Sequence, residues 1–324
     1  MTFQQAVLIY NPVSGRKRNL REKGILDARD TLMSSVGSVR VEGTKARGDA
    51  TRIAAEAVSA GCDLIVACGG DGTVNEVIGG MAGSGVPLLA LPAGTANVLA
   101  EEVGFPVDAA RTAAMLPTLV PVKVPLGRVQ YARPQPGSRL FLLMCGVGVD
   151  ASIVYHLNTK LKEYLGQGAY WLGSLEQLQR KFPPFEIRLN GVTHESTFAL
   201  ISKSRCYGGR LVLAPDAHVL SGEFQVVIFH GDSPLRYVGY LAQIATQTLD
   251  QFEDVSFHHT DRVELLSPTD EKVYIEADGE FVGRLPATVE TLPEALTLLL
   301  PAEYVERQPR ESEAAEAVSG DPRS

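Results

Sequence analysis

Cysteine is scarce in this chain. There are four in 324 residues, Cys62, Cys68, Cys145 and Cys206, and no two stand in a C-x-x-C pair. This excludes a disulfide scaffold and a cysteine-rich zinc site, and it leaves reduced, buried thiols as the expectation. The pair His258-His259 has no cysteine at zinc-ligand spacing and is expected on the surface. Basic charge is also short: Lys and Arg number 30 against 38 Asp and Glu, a formal net charge of −8. A face that grips nucleic-acid phosphates needs the opposite balance, so no nucleic-acid partner is expected. Overall the chain would be repelled by anionic membranes, although a local basic patch leaves docking open. No apolar run reaches the roughly 18 residues that a spanning helix needs. The first apolar run, Ala6 to Tyr10, has strand length and no Lys or Arg before it, so no signal peptide is expected. The phosphate-binding pattern G-x-x-x-x-G-K-[ST] is missing as well.

What is present describes a folded protein. Hydrophobic residues make up 45% and charged residues 21%, and the length suggests two domains. Residues 1–121 alternate strand and helix. Short apolar runs at Ala6-Val-Leu-Ile-Tyr10, Asp63-Leu-Ile-Val-Ala-Cys68 and Val86-Pro-Leu-Leu-Ala-Leu91 are interleaved with helical stretches near residues 49–60, 73–81 and beyond 96. That pattern predicts an α/β domain with a mostly parallel sheet. Residues 122–304 change texture. Strand-like runs such as Leu140-Phe-Leu-Leu-Met144, Phe185 to Leu189, Thr197 to Ile201, Phe224 to Phe229 and Leu296 to Leu300 dominate, with turns at Asn190-Gly191 and Asp278-Gly279. Two helices are expected there, over residues 151–180 and 234–249. Residues 305–324 are polar and apolar-poor, and a disordered tail is expected.

Four segments of the first domain share one plan, in which small residues fill the loop between a strand and a helix. Such a loop turns backbone N–H groups and a helix N-terminus toward one place and suits a phosphate. The most specific is Gly69-Gly-Asp-Gly-Thr-Val-Asn-Glu76, whose three glycines allow close backbone approach. Asp71 among them would repel a bare phosphate, which points to Mg²⁺ or a metal-bound water. Leu91-Pro-Ala-Gly-Thr-Ala-Asn97 repeats the plan, with Gly94, Thr95 and Asn97 as hydrogen-bonding candidates. Asn11-Pro-Val-Ser-Gly15 and Thr44 with Gly48-Asp49 complete the set. Each of these three alone is also an ordinary turn. Their recurrence at successive strand ends is the signal, because ligands collect at the carboxyl ends of strands in open α/β sheets. Gly146-Val-Gly-Val-Asp-Ala151 matches a dinucleotide fingerprint, but it sits at the edge of the β-rich half and is read as a chance match.

Asn11-Pro-x-Ser-Gly15, Gly69-Gly-Asp-Gly-Thr73 and Pro92-x-Gly-Thr-x-Asn97, in that order, resemble the catalytic domain of diacylglycerol kinases, sphingosine kinases and their bacterial lipid kinase relatives. Tyr207-Gly-Gly209 before Pro215-x-Ala217, and Asp278-Gly-Glu280, look like later motifs of that family. The likeness covers roughly residues 4–302. It implies a phosphofructokinase-like α/β domain, a β-sandwich-like acceptor domain, and ATP with Mg²⁺ in the cleft between them. It also implies a last strand, near Leu296 to Leu300, that packs back on the first domain. On this resemblance Asn11, Ser14, Gly15, Thr44, Gly69, Gly70, Gly72, Thr73, Asn75, Glu76, Gly94, Thr95 and Asn97 are nucleotide-site candidates. Asp278 is the candidate base, and Asp71 and Glu280 are the candidate metal-binding carboxylates.

Phosphoryl transfer needs positioning, charge neutralisation and a carboxylate near the attacking hydroxyl, and the Asp278-Gly-Glu280 turn supplies the carboxylate. Asp-Gly is also the preferred pair of a plain hairpin turn. One departure stands out. Ser221-Gly222 occupies the place where relatives often carry Asp-Gly, and in bacterial relatives that Asp helps hold a structural Mg²⁺. Ser221 is a poor ligand for a hard cation. The expected activity is ATP-dependent phosphorylation of a lipid hydroxyl by a cytoplasmic protein that visits the membrane surface transiently, and a homodimer is compatible with this. A NAD kinase-like enzyme and an inactive nucleotide-binding regulator are the alternatives.

Overall fold

The computed structural model describes residues 2–14, 18–148, 183–209, 211–231, 236, 239–240, 243–244 and 246–308. Gly15, the expected helix over residues 151–180 and part of that over 234–249 lie outside the described residues.

The first domain winds as its alternating pattern predicts. β1 (Phe3–Tyr10), α1 (Arg18–Leu32), β2 (Val36–Gly43), α2 (Asp49–Ser59), β3 (Leu64–Gly69), α3 (Asp71–Met81), β4 (Pro87–Pro92), α4 (Val98–Val103) and α5 (Ala109–Ala114) follow one another. The four strands are parallel in the order β4-β3-β1-β2. A parallel sheet is covered on both faces, so its strands are apolar throughout. β3, Leu-Ile-Val-Ala-Cys-Gly, is buried along its whole length. α2 buries Ala50, Ile53, Ala54 and Ala57, the stripe of an amphipathic helix. A Cβ on Gly80 would stand 2.1 Å from the Thr51 carbonyl oxygen, so α2 and α3 meet backbone to backbone. This contact draws the loops after β2 and β3 together.

The second half is antiparallel and sandwich-like. β5 (Leu119–Arg133), β6 (Gly137–Phe141), β7 (Met144–Gly148), β8 (Phe185–Leu189), β9 (Val192–Ser196) and β10 (Phe198–Ser202) come first. A two-residue pair, β11 (Cys206–Tyr207) and β12 (Leu211–Val212), precedes β13 (Phe224–Phe229), β14 (Val255–Thr260), β15 (Arg262–Leu266), β16 (Tyr274–Ala277) and β17 (Glu280–Pro301). One path runs β14-β13-β10-β7-β16-β17, and a branch of β5, β6, β15, β8 and β9 leaves from β17. Phe141, Phe185, Ile187, Ile201, Phe224, Val226 and Ile275 pack between the layers. β10 serves two cores by period-two alternation: Ala199 and Ile201 face this cluster, while Phe198 and Leu200 join that of the first domain.

β17 joins the halves. It pairs antiparallel with β5 from Arg284↔Arg133 to Pro301↔Leu119 and parallel with β4 at Thr297↔Pro87 and Leu298↔Leu88. The last strand therefore does pack back on the first domain, as the resemblance implied. It is much longer than the Leu296 to Leu300 run. Its two register shifts, between Arg284 and Ala287 and between Leu292 and Leu296, fall at Pro286 and Pro293, which have no N–H to give to a ladder. The boundary expected between residues 121 and 122 falls inside β5.

Three further differences have local causes. Leu140 to Met144 is not one strand, because the amides of Leu142, Leu143 and Met144 donate to the Asp278 carboxylate. Residues 305–307, expected in the tail, belong to a helix, α6 (Ala302–Arg307), with Tyr304 buried; residues 309–324 are outside the described residues. Gly146 and Gly148, which open the dinucleotide-like run, lie within β7 between β10 and β16, and the rest of that run is outside the described residues. Both Asn190-Gly191 and Asp278-Gly279 have positive φ at each position, 51° and 78° and 48° and 78°, as type I′ hairpin turns require.

Candidate active site

The loops that follow β1, β2 and β3 face the turn between β16 and β17 across a cavity of about 750 Å³. Asn11, Ser14, Thr44, Gly70, Gly72, Thr73, Glu76 and Glu280 line it. Eight residues singled out in the sequence are thus gathered from four loops up to 269 positions apart. Lys45, Arg47 and Phe281 line it too. These were missed, although two cations beside Thr44 in an acidic chain were a usable sign.

Close approach explains the glycines. A Cβ on Gly69 would lie 2.5 Å from the Thr73 Oγ1, and one on Gly94 would lie 2.4 Å from the Gly70 Cα. The β3 and β4 loops therefore cross glycine on glycine. The Ser14 hydroxyl donates to the Ala93 carbonyl at 3.2 Å and fastens the β1 loop to the same crossing. Gly72 lies in the first turn of α3, where N–H groups have no partner inside the helix. A Cβ there would stand 3.1 Å from the Glu280 Oε1.

Asn97 and Asp71 hold the loops rather than line the cavity, and Glu76 does both. The Asn97 Oδ1 accepts from the Gly94 amide at 2.8 Å and its Nδ2 donates to the Gly94 carbonyl at 3.1 Å, with Asn97 itself left-handed at φ 49°. Thr95 is exposed at the loop tip. The Asp71 carboxylate accepts from the amides of Val98 at 3.1 Å and Leu99 at 3.3 Å, and so caps α4. Burial pushes the Asp71 pKa up, and these amide donors pull against that rise. The Glu76 Oε2 accepts from the Gly48 amide at 3.0 Å, and the Glu76 carbonyl accepts from the Thr51 hydroxyl at 2.7 Å, tying α3 to the start of α2.

Asp278 is 7% exposed and accepts four hydrogen bonds. Its Oδ1 takes the amides of Leu143 and Met144, each at 3.0 Å, and its Oδ2 takes the Leu142 amide at 2.9 Å and the Asn75 Nδ2 at 2.7 Å. Burial pushes its pKa up to about 6, against the lowering effect of those donors. Asn75, 2% exposed, also donates to the Leu140 carbonyl at 2.9 Å, and its Oδ1 has no partner among the described residues. Glu280, two residues on, reaches the cavity between two cations: its Oε2 lies 3.1 Å from the Arg47 Nη2 and 3.3 Å from the Arg139 Nη2. The pair of carboxylates thus divides into a buried, fully bonded Asp278 and a partly exposed Glu280 facing the loops.

Cys68, just before the glycine loop, is buried and its thiol is pushed up to about 12 by burial. All four cysteines are buried and none is in a disulfide. Among the described residues no three metal-capable side chains cluster, and no helix is long and apolar enough to cross a membrane.

Comparison with known proteins places this architecture. Residues 5–129 match the family described as diacylglycerol kinase catalytic domain, and residues 144–300 match the YegS C-terminal NAD kinase beta sandwich-like domain. A diacylglycerol kinase of Bacillus subtilis (strain 168) is 29% identical over 313 residues, covering 94% of this chain and 99% of the relative. A crystal structure of a diacylglycerol kinase from Bacillus anthracis str. Sterne superposes with a TM-score of 0.74 at 21% identity, over 94% of this chain and 99% of that one. Yeast NADH kinase complexed with NADH shares the fold more distantly, with a TM-score of 0.51 at 11% identity over 100% and 89% of the two chains. The chain is thus built as a diacylglycerol kinase catalytic domain followed by a YegS C-terminal β-sandwich-like domain.

Proposed function

We propose that the chain transfers the γ-phosphoryl group of ATP to the hydroxyl of a lipid of the diacylglycerol or sphingoid class. One observation supports this most: three loops with phosphate-binding character and the Asp278-Gly-Glu280 turn surround a single cavity. Phosphate fits the cavity chemically, since Gly70 and Gly72 offer backbone at a helix start and Lys45 and Arg47 offer positive charge. Mg²⁺ fits Glu280, a hard oxygen donor aimed into the cavity, and the bound nucleotide would supply further oxygens. Bound there, Mg²⁺ would neutralise charge on the transferring phosphoryl group. Asp71, whose oxygens already serve Val98 and Leu99, is assigned contact through a metal-bound water.

Asp278 is the proposed base. With a pKa near 6 it is ionised at neutral pH yet retains proton affinity well above that of an ordinary carboxylate. Its four acceptor positions are filled, so the acceptor hydroxyl has to replace one donor. The Asn75 Nδ2 is the only side-chain donor of the four. The lipid is met at a membrane surface by transient contact.

The yeast NADH kinase likeness favours a second reading, a nucleotide acceptor. Incubation with γ-labelled ATP and Mg²⁺ against diacylglycerol, a sphingoid base, ceramide, phosphatidylglycerol and NAD decides between them. Label in a lipid supports the proposal, label in NAD alone supports the second reading, and no label at all leaves an inactive nucleotide-binding regulator.

A further inference from the structure

The loop that follows Pro215 carries Ser221 where the resemblance implied a carboxylate for a structural Mg²⁺. Its oxygens do not fit a hard cation. The Ser221 hydroxyl accepts from the Glu223 amide at 3.0 Å. The Asp216 carboxylate accepts from the Gln225 side chain at 2.9 Å and lies 4.0 Å from the His259 Nε2, with 70% of its side chain exposed. The position is held instead by a lysine. Lys203, at the end of β10, is 0% exposed, and its Nζ donates to the Ser221 carbonyl and stands 5.8 Å from the centre of the Phe224 ring.

A fully buried lysine is rare, because an ammonium leaves water only where it is met by acceptors. Here a carbonyl oxygen and an aromatic face meet it, the kinds of partner that satisfy a cation. Its main chain is fixed as well: the Lys203 amide donates to the Leu143 carbonyl at 2.7 Å. Leu143 is one of the three residues whose amides grip Asp278. The ammonium therefore fastens the loop around Ser221 to the strand end that also supports the buried carboxylate.

We propose that the Lys203 ammonium is a built-in cation that does here the work of a structural divalent metal, so that the acceptor domain is fastened without one. A lysine and a serine then form one matched pair: the charge that a metal would bring is on Lys203, and the carboxylate that a metal would require is absent at Ser221. This does not depend on the proposed kinase activity, because it concerns how the fold is held.

Thermal unfolding of the nucleotide-free full chain, in chelator and in Mg²⁺, tests it. The wild type is expected to melt at the same temperature in both. Lys203→Met keeps the length but leaves the Ser221 carbonyl without its donor, and should melt about 3–8 °C lower with no recovery in Mg²⁺. The double variant Lys203→Ala with Ser221→Asp rebuilds an oxygen site and should melt low in chelator and higher in Mg²⁺. A wild-type melting temperature that falls on chelation overturns the proposal, and so does a Lys203→Met protein as stable as wild type. Should Lys203→Met not fold, the wild-type chelation series and the Mg²⁺ response of the double variant still decide, and indifference of that double variant to Mg²⁺ counts against the site.

Discussion

Replacing Asp278 by Asn separates its two roles, base and structural acceptor. The buried carboxylate is ionised at pH 7 although its pKa stands near 6 rather than 3.8, which costs the fold about 3 kcal/mol. Asn removes that cost. It also keeps only one acceptor oxygen and turns an NH₂ group toward two of the four donors now met by the carboxylate. Each unsatisfied donor costs about 1–3 kcal/mol, so the loss is about 2–6 kcal/mol and the net change lies between a slight gain and a loss of about 3 kcal/mol. The protein should therefore fold, with a melting temperature lowered by less than about 12 °C. Transfer to the lipid should fall on the order of a hundred- to ten-thousandfold if Asp278 is the base, with ATP affinity near wild type. Calorimetric ATP binding and single-turnover transfer to a short-chain diacylglycerol, on one preparation, give both readings. Transfer at the wild-type rate would refute the assignment and leave Asp278 as a clamp for Leu142 to Met144. Loss of transfer together with ATP binding would move it to the nucleotide or metal side.

Arg47, on the exposed side of its pair with Glu280, contributes little stability, so Arg47→Ala should leave the melting temperature unchanged and raise the KM for ATP severalfold. Tyr304→Phe removes the donor at 2.9 Å from the buried Glu102 Oε1 and should cost about 1–3 kcal/mol in denaturant unfolding, while truncation after residue 308 should be neutral; equal stability of Tyr304→Phe and wild type would show that α6 is not held through this bond. The His194 and His258 rings sit 4.7 Å apart, and burial lowers both pKa values below 6.5, helped by the charge of His230 at His194 and by those of His194, His230 and His259 at His258. Unfolding frees them to bind protons, so their contribution to stability is full above pH 6.5 and is lost as the pH falls below it; His258→Gln should flatten this acid-side slope in urea titrations. With Cys68 and Cys206 pushed up to about 12 and about 11 by burial, the native chain should resist a thiol reagent until it unfolds.

The loops were legible because their signal is local: glycines at successive strand ends need only a strand before and a helix after. The hairpin at Asp278-Gly279 was equally local, since two positive φ values select that pair. What Asp278 bonds to was not legible. Leu142, Leu143 and Met144 are apolar residues more than 130 positions upstream, and it is their amides, not their side chains, that matter. The same holds for Lys203, which reads as a surface residue until β10 is seen to end inside the protein. β17 is longer than its Leu296 to Leu300 run because β5 tolerates the irregularities at Pro286 and Pro293. Lys45 and Arg47 gained meaning only when the contact of α2 with α3 brought their loop to the cavity.

The central claim is that one cavity, between the first-domain loops and the Asp278-Gly279-Glu280 turn, holds the nucleotide. A crystal structure of the chain with a non-hydrolysable ATP analogue and Mg²⁺ tests it most directly. The triphosphate should lie against Asn11 to Ser14 and Gly70 to Thr73, with its last phosphate on the Glu280 side. A nucleotide bound elsewhere, or one whose phosphates point away from Glu280, would contradict it.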